Sequence, residues 1–208
     1  MGKKNKKKNK ASEIIIFPVP FQLEKTKQDI TFNTNSSSKD SKESIVNRAF
    51  QFHSQGNISE AAKYYQILIN QGFEDYRVFS NYGVIFQELG KLEKAEFFTR
   101  KAIQLKPDFA NAHSNLGSIL FALGKSEKAE LSARKAIDLK PDYEMAYSNL
   151  GGILLDLGKL EEAELLTRKA IQLKPDFADA YSNLGNILRD FGKSDEAEIA
   201  YLKAIELK

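Results

Sequence analysis

From residue 76 onward, small and apolar positions return every 34 residues, and inside each period they are spaced by three and four. Numbering each unit so that a glycine falls at position 8 places this set at positions 4, 7, 8, 11, 20, 24 and 27. In the third unit these are His113, Leu116, Gly117, Leu120, Ala129, Ala133 and Ala136. Such spacings put each cluster on one helical face, so every unit predicts two helices. Gly124, at position 15, separates the clusters where a helix end takes a left-handed residue. Pro141 stops the second helix, and Asp142 is expected to cap the next one. Glu144 follows in the first turn, where a negative charge suits the helix dipole. Small residues at positions 8 and 20 let the two backbones approach closely.

The stretch Lys106–Gly117 returns at Lys140–Gly151 and again at Lys174–Gly185. A period of this length predicts an all-α repeat array in which each unit buries its face against the next. Five units are expected, at 42–75, 76–109, 110–143, 144–177 and 178–208, behind a tail and linker at 1–41. The first unit is degenerate: Ala49 stands where glycine is expected, Leu68 where alanine is, and Phe73 where proline is. The fifth ends at Lys208, position 31, and is expected to fray or to self-associate.

At these residues the chain resembles the tetratricopeptide repeat (TPR) family. Gly83, Gly90, Ala95, Ala102 and Pro107 keep the family's phase in the second unit; Gly151, Gly158, Ala163, Ala170 and Pro175 keep it in the fourth. The resemblance implies a right-handed superhelical solenoid whose first helices line a concave groove. It also implies a protein-binding function. The alternative is the N-terminal, substrate-recruiting region of a larger bacterial glycosyl-, sulfo- or methyltransferase, since similar arrays precede such domains.

Composition alters this picture mainly at the N-terminus. Residues 1–44 hold ten Lys against five acids, a charge of +5, whereas the whole 208-residue chain is +3. The array is therefore mildly acidic and the tail basic. Six Lys within Met1–Lys10 predict a disordered segment. No Arg or aromatic is interleaved there, which speaks against specific nucleic-acid contact. Ile14–Phe21 is apolar but carries Pro18 and Pro20, so it is expected to be extended and to lie against something. Residues 31–41 read as a linker. Asn35 and Asn57 match the glycosylation pattern, without a secretion signal to support it. No apolar run suffices for a spanning helix. The absence of cysteine excludes disulfides and thiolate chemistry and fits a reducing, cytoplasmic setting.

His53 and His113 share no metal-ligand spacing, and no phosphate-binding glycine loop is present. No catalytic residue, metal or cofactor is assigned. A binding surface is another matter. Positions 2, 6, 9 and 13 share a helix stripe away from the core positions. Position 6 is asparagine in every unit: Asn47, Asn81, Asn115, Asn149 and Asn183. The stripe resembles the asparagine ladder in the TPR groove of O-linked N-acetylglucosamine transferase, where such residues hold a polypeptide backbone. The competing reading is plain repeat consensus. Asn111, Asn186, Glu88, Asp156, Asp179 and Asp190 complete the candidate peptide groove. Ser80, Ser114, Ser148 and Ser182 at position 5 leave no basic clamp for an acidic C-terminus. The expected partner is a protein or peptide in extended conformation.

Overall fold

The computed structural model describes residues 42–208. The expectations for the Lys-rich tail, Ile14–Phe21, Asn35 and the linker lie outside the described residues. Among these residues the chain forms ten α-helices and no strand. They divide into two compact units, one ending at Gly124 and the other spanning Lys125–Lys208. The first holds α1 (Lys42–Ser54), α2 (Ile58–Asn70), α3 (Tyr76–Glu88), α4 (Leu92–Leu105) and α5 (Ala110–Ala122). The second holds α6 (Ser126–Leu139), α7 (Glu144–Asp156), α8 (Leu160–Leu173), α9 (Ala178–Asp190) and α10 (Ser194–Glu206). Every odd-numbered helix begins at position 1 of the 34-residue period.

The turn inside each pair is made by glycine. Gly56, Gly90, Gly124, Gly158 and Gly192 have φ between 68 and 78°. Around Gly90, Gly90 N–H bonds the Gln87 carbonyl at 2.9 Å and Lys91 N–H bonds the Phe86 carbonyl at 2.8 Å. That pattern closes the last turn of α3 and satisfies its orphan carbonyls. Between pairs, Lys106, Lys140 and Lys174 leave the helix at φ of −138 to −142°. The proline that follows each of them demands such an extended residue. The degenerate first repeat solves the same problem differently. It has Phe73 in place of proline, and Gly72 at φ 69° ends α2 instead.

The expectation for Asp142 is corrected. The residue at the N-cap of α7 is Tyr143, with no side-chain cap bond, and Phe109 and Phe177 do the same for α5 and α9. These aromatics are only 4–7 % exposed. Their rings fill the core at the helix entrance, which a capping side chain cannot do. Lys106, Lys140 and Lys174 lie over aromatic rings at the same turns, 4.8–5.2 Å from the ring centroids of Tyr76, Tyr143 and Phe177. Where position 34 is aspartate, the cap is real: Asp75 accepts from Arg77 N–H at 2.7 Å. Asn57, one of the glycosylation-pattern residues, caps α2 by accepting from Glu60 N–H at 3.3 Å.

Close packing within pairs follows from position 8. A Cβ on Gly83 would lie 2.5 Å from Thr99 Oγ1, and one on Gly185 would meet the Tyr201 ring at the same distance. The 42–124 unit also buries an aromatic core. Tyr65 is fully buried between Phe50 and Tyr82, each with its ring centroid 6.0 Å away. Asn81 Nδ2 donates to the Tyr65 hydroxyl at 3.2 Å, which in turn reaches His53 Nδ1 at 3.2 Å. Burial pushes the His53 imidazole down to about 4.

Candidate peptide-binding surface

The stripe of positions 2, 6, 9 and 13 is carried by the odd-numbered helices, and the structure divides it. At position 6, Asn47 is exposed, but Asn81, Asn115, Asn149 and Asn183 are buried. Position 9 is buried throughout: Phe50, Val84, Ser118, Gly152 and Asn186. Only the ends of the stripe meet solvent. At position 13, Glu88, Asp156 and Asp190 are exposed; at position 2, Arg77, Asn111 and Asp179 are half-buried. Placing the whole stripe away from the core is therefore corrected for its middle. Adjacent first helices pack side by side, α3 on α5 and α7 on α9, which a periodicity read from one helix at a time does not count.

The buried asparagines join neighbouring repeats. Asn115 Nδ2 donates to Ser80 Oγ at 3.5 Å. Asn183 Nδ2 donates to Ser148 Oγ at 3.2 Å and to the Ser148 carbonyl at 3.4 Å. In both pairs, asparagine at position 6 reaches back to serine at position 5 of the preceding repeat. The first repeat has Val46 there, with no hydroxyl, and Asn81 turns to Tyr65 instead. In the fifth, Ser182 Oγ bonds the Ala178 carbonyl of its own helix at 3.4 Å. A second rung links Gln87 Nε2 to Ser118 Oγ at 3.1 Å, while Ser118 donates to the Asn115 carbonyl at 2.9 Å. Sequence reading treated the serines only as the absence of a basic clamp. The signal for the seam was present: Ser-Asn recurs in phase at 80–81, 114–115, 148–149 and 182–183.

The rim is polar and locally paired. Arg77, the one base on the stripe, is held by Asp75 at 3.0 Å and sits 5.5 Å from the Phe50 ring centroid. Asp156 accepts from Ser126 Oγ at 2.7 Å. Asp190 pairs with Arg189 at 3.2 Å, and Asp179 lies 3.8 Å from Lys208 Nζ. Asn186 Oδ1 accepts from the Tyr201 hydroxyl at 2.9 Å. Desolvation raises the Glu88 carboxyl above its ordinary range. His113 Nε2 donates to the Pro107 carbonyl at 2.8 Å, and Tyr147 makes the matching bond to Pro141 at 3.2 Å. Both tie a first helix to the turn before it.

A network that sequence reading missed lies on the even-numbered helices of the 125–208 unit. Arg134 bridges Glu130 and Glu162, each at 2.8 Å, and Lys159 also reaches Glu130 at 2.8 Å. One repeat later, Glu164 takes Arg168 at 2.8 Å and Lys193 at 3.2 Å. The Lys159 bond, with help from Arg134, holds the Glu130 carboxyl below its usual range. Burial opposes the same shift at Glu164, but Arg168 and Lys193 outweigh it. Among the described residues no three potential metal-ligating side chains come together, and no helix is long and apolar enough to cross a membrane.

Comparison with known proteins agrees with this architecture. A family model described as a tetratricopeptide repeat matches residues 76–109, 110–143 and 178–208, and one described as a TPR repeat matches residues 151–188. Together they cover more than half of the chain. No curated protein matches it. A crystal structure of MamA is 25% identical, covering 76% of this chain and 93% of its own, with a TM-score of 0.63. MamA 41-end from Desulfovibrio magneticus is 21% identical over 81% of this chain and 96% of its own, with a TM-score of 0.67. A thermophilic TPR protein of Thermus thermophilus is 20% identical over 80% and 91%, with a TM-score of 0.70.

Proposed function

Because the chain belongs to the tetratricopeptide repeat family, whose all-α repeats serve as protein-interaction scaffolds, we propose that it holds a partner polypeptide in extended conformation along its first helices. The observation that supports this reading is the asparagine set. The same amide stands at position 6 of all five repeats, and Asn115 and Asn183 are oriented by bonds to the repeat before them. An amide carries two N–H donors and an oxygen that accepts twice. Seam bonds fix its plane, and because Asn81, Asn115, Asn149 and Asn183 are buried, a partner backbone must take over part of that bonding. A preoriented amide loses less freedom when a backbone pairs with it. It reads no side chain, which suits a binder of varied sequences. The carboxylates Glu88, Asp156, Asp179 and Asp190 at the stripe's ends favour a partner with basic residues beside its backbone contacts.

Neighbouring helices pack about 8–10 Å apart and an extended chain rises about 3.3 Å per residue, so a partner that displaces the seam bonds would meet one asparagine roughly every third residue. Each bond is worth only about 0.5–1.5 kcal/mol, so the set acts together. The test is a 12-residue peptide selected from a random library on the full chain. Asn115→Ala, Asn149→Ala and Asn183→Ala combined should weaken that peptide at least tenfold, and each alone only a few-fold. Melting temperature is measured on the same samples. Unchanged affinity in the triple variant, or a loss that merely tracks the loss of melting temperature, assigns the asparagines to the seam alone and rejects this reading.

A further inference from the structure

Position 23 lies on the second helix of each repeat, and its occupant changes along the chain. It is Tyr64, Phe98, Ser132, Leu166 and Ala200 in the five repeats. Tyr64 stacks on Phe52 with ring centroids 5.4 Å apart. Phe98 lies 6.2, 4.9 and 5.3 Å from the rings of Phe79, Tyr82 and Phe86, which are positions 4, 7 and 11 of its repeat. In the fifth repeat the same three positions are Tyr181, Leu184 and Leu188. They line an open, mostly apolar cavity of about 380 Å³ together with Ile199, Ala200 and, at its rim, Arg168.

We propose that this cavity, between α9 and α10, is a docking site for a partner polypeptide that inserts one phenylalanine- or leucine-sized side chain. The protein itself shows what fits: Phe98 occupies the corresponding positions in the second repeat. Replacing it by Ala200 removes the side chain while keeping its apolar walls. The volume falls in the range of ligand pockets. An apolar anchor in such a pocket is the kind of contact that dominates protein interfaces. Ile199, at 68 % exposed, brings the apolar lining out to the cavity mouth. The rim charges are already matched. Arg168 pairs with Glu164 and lies 3.6 Å from Glu196, and Lys203 pairs with Glu206 at 2.9 Å. Recognition therefore rests on the apolar anchor. The cavity contains none of the asparagine stripe, so this inference stands or falls apart from the peptide reading above.

The experiment follows methyl resonances of the full chain while N-acetyl-L-phenylalanine amide is added, with N-acetylglycinamide as control. Saturable shifts are expected at Leu184, Leu188 and Ile199, with a dissociation constant of about millimolar order for so small a probe. The glycine control should leave them unchanged. Ala200→Phe, which copies the second repeat, should weaken the probe at least tenfold while retaining helicity and melting temperature. Ala200→Leu, which copies the fourth, gives the same reading if the larger ring disturbs folding. No saturable shift in the natural chain, or undiminished shifts in both filled variants, overturns the proposal. Probe binding that emerges only after residues 1–23 are deleted assigns the cavity to the chain's own N-terminal segment. Shifts that depend on protein concentration without probe assign it to a second copy. Either outcome also overturns the assignment to a partner.

Discussion

A Cβ added to Gly83 would stand 2.5 Å from Thr99 Oγ1 and 3.3 Å from the Ala95 carbonyl oxygen. The first contact is with a side chain and the second with backbone, so relief is partial. Gly83→Ala is expected to cost about 1–3 kcal/mol, the usual range for overpacking a tight site. Adding Thr99→Ala should recover part of it, because the variant removes the nearer atom. Thermal melting of the two single variants and the double variant measures the coupling. Gly90 provides the contrast. Nothing lies within 4 Å of its added Cβ, but its φ is 68°. Gly90→Ala should therefore cost about 1 kcal/mol from backbone conformation alone, and no neighbouring substitution should rescue it.

At the scale of the helix, the decisive contrast is between Asp75 and Asp142. Asp75 accepts the Arg77 N–H at 2.7 Å and holds the Arg77 guanidinium at 3.0 Å. Asp142 is exposed one residue before the N-cap Tyr143, and that cap has no side-chain bond. Asp75→Ala should destabilise the array by about 1 kcal/mol, the typical worth of a cap. Asp142→Ala should fall within about 0.5 kcal/mol of the natural chain, as surface substitutions do. Equal losses in melting temperature for the two variants would contradict this assignment. The difference has a packing cause. Phe109, Tyr143 and Phe177 occupy the position that Asp75 fills in the first repeat, and their rings are buried there.

Across the whole molecule, the two units should respond differently to acid. His53 in the 42–124 unit is buried, its Nε2 has no hydrogen-bond partner, and its imidazole is pushed from 6.5 to about 4. Between those values the unfolded chain binds the proton and the folded one does not. Stability is therefore full above about 6.5 and is lost as pH falls toward 4, by up to about 3 kcal/mol. The 125–208 unit has the opposite kind of group. Glu130 and Glu164 are held below 4.5 by cationic partners, so their contribution is present above 4.5 and fades only as pH drops below it. Hydrogen-exchange protection measured at pH 7 and pH 5 should fall first in α1 and α2, while α6 to α8 change little. His53→Gln should remove most of the difference between the two pH values. Equal loss of protection in both units would refute the assignment.

The sequence by itself determined the elements. A 34-residue period with glycine at position 15 and proline at position 32 sets the helices and their turns, because backbone conformation at glycine and before proline is a local matter. It also marked the close approach at position 8, since the small residue itself records the lack of space. The tertiary structure decided which polar residues meet solvent. Asn115 and Ser80 are 35 residues apart, as are Asn183 and Ser148. Their pairing depends on how one repeat is seated against the next, and no single helix encodes that distance. The same holds for the Glu130–Arg134–Glu162 bridge and the cavity beside Ala200. Each is made by side chains from different helices. Helical periodicity assigns faces along one axis, whereas burial is set by everything packed around it.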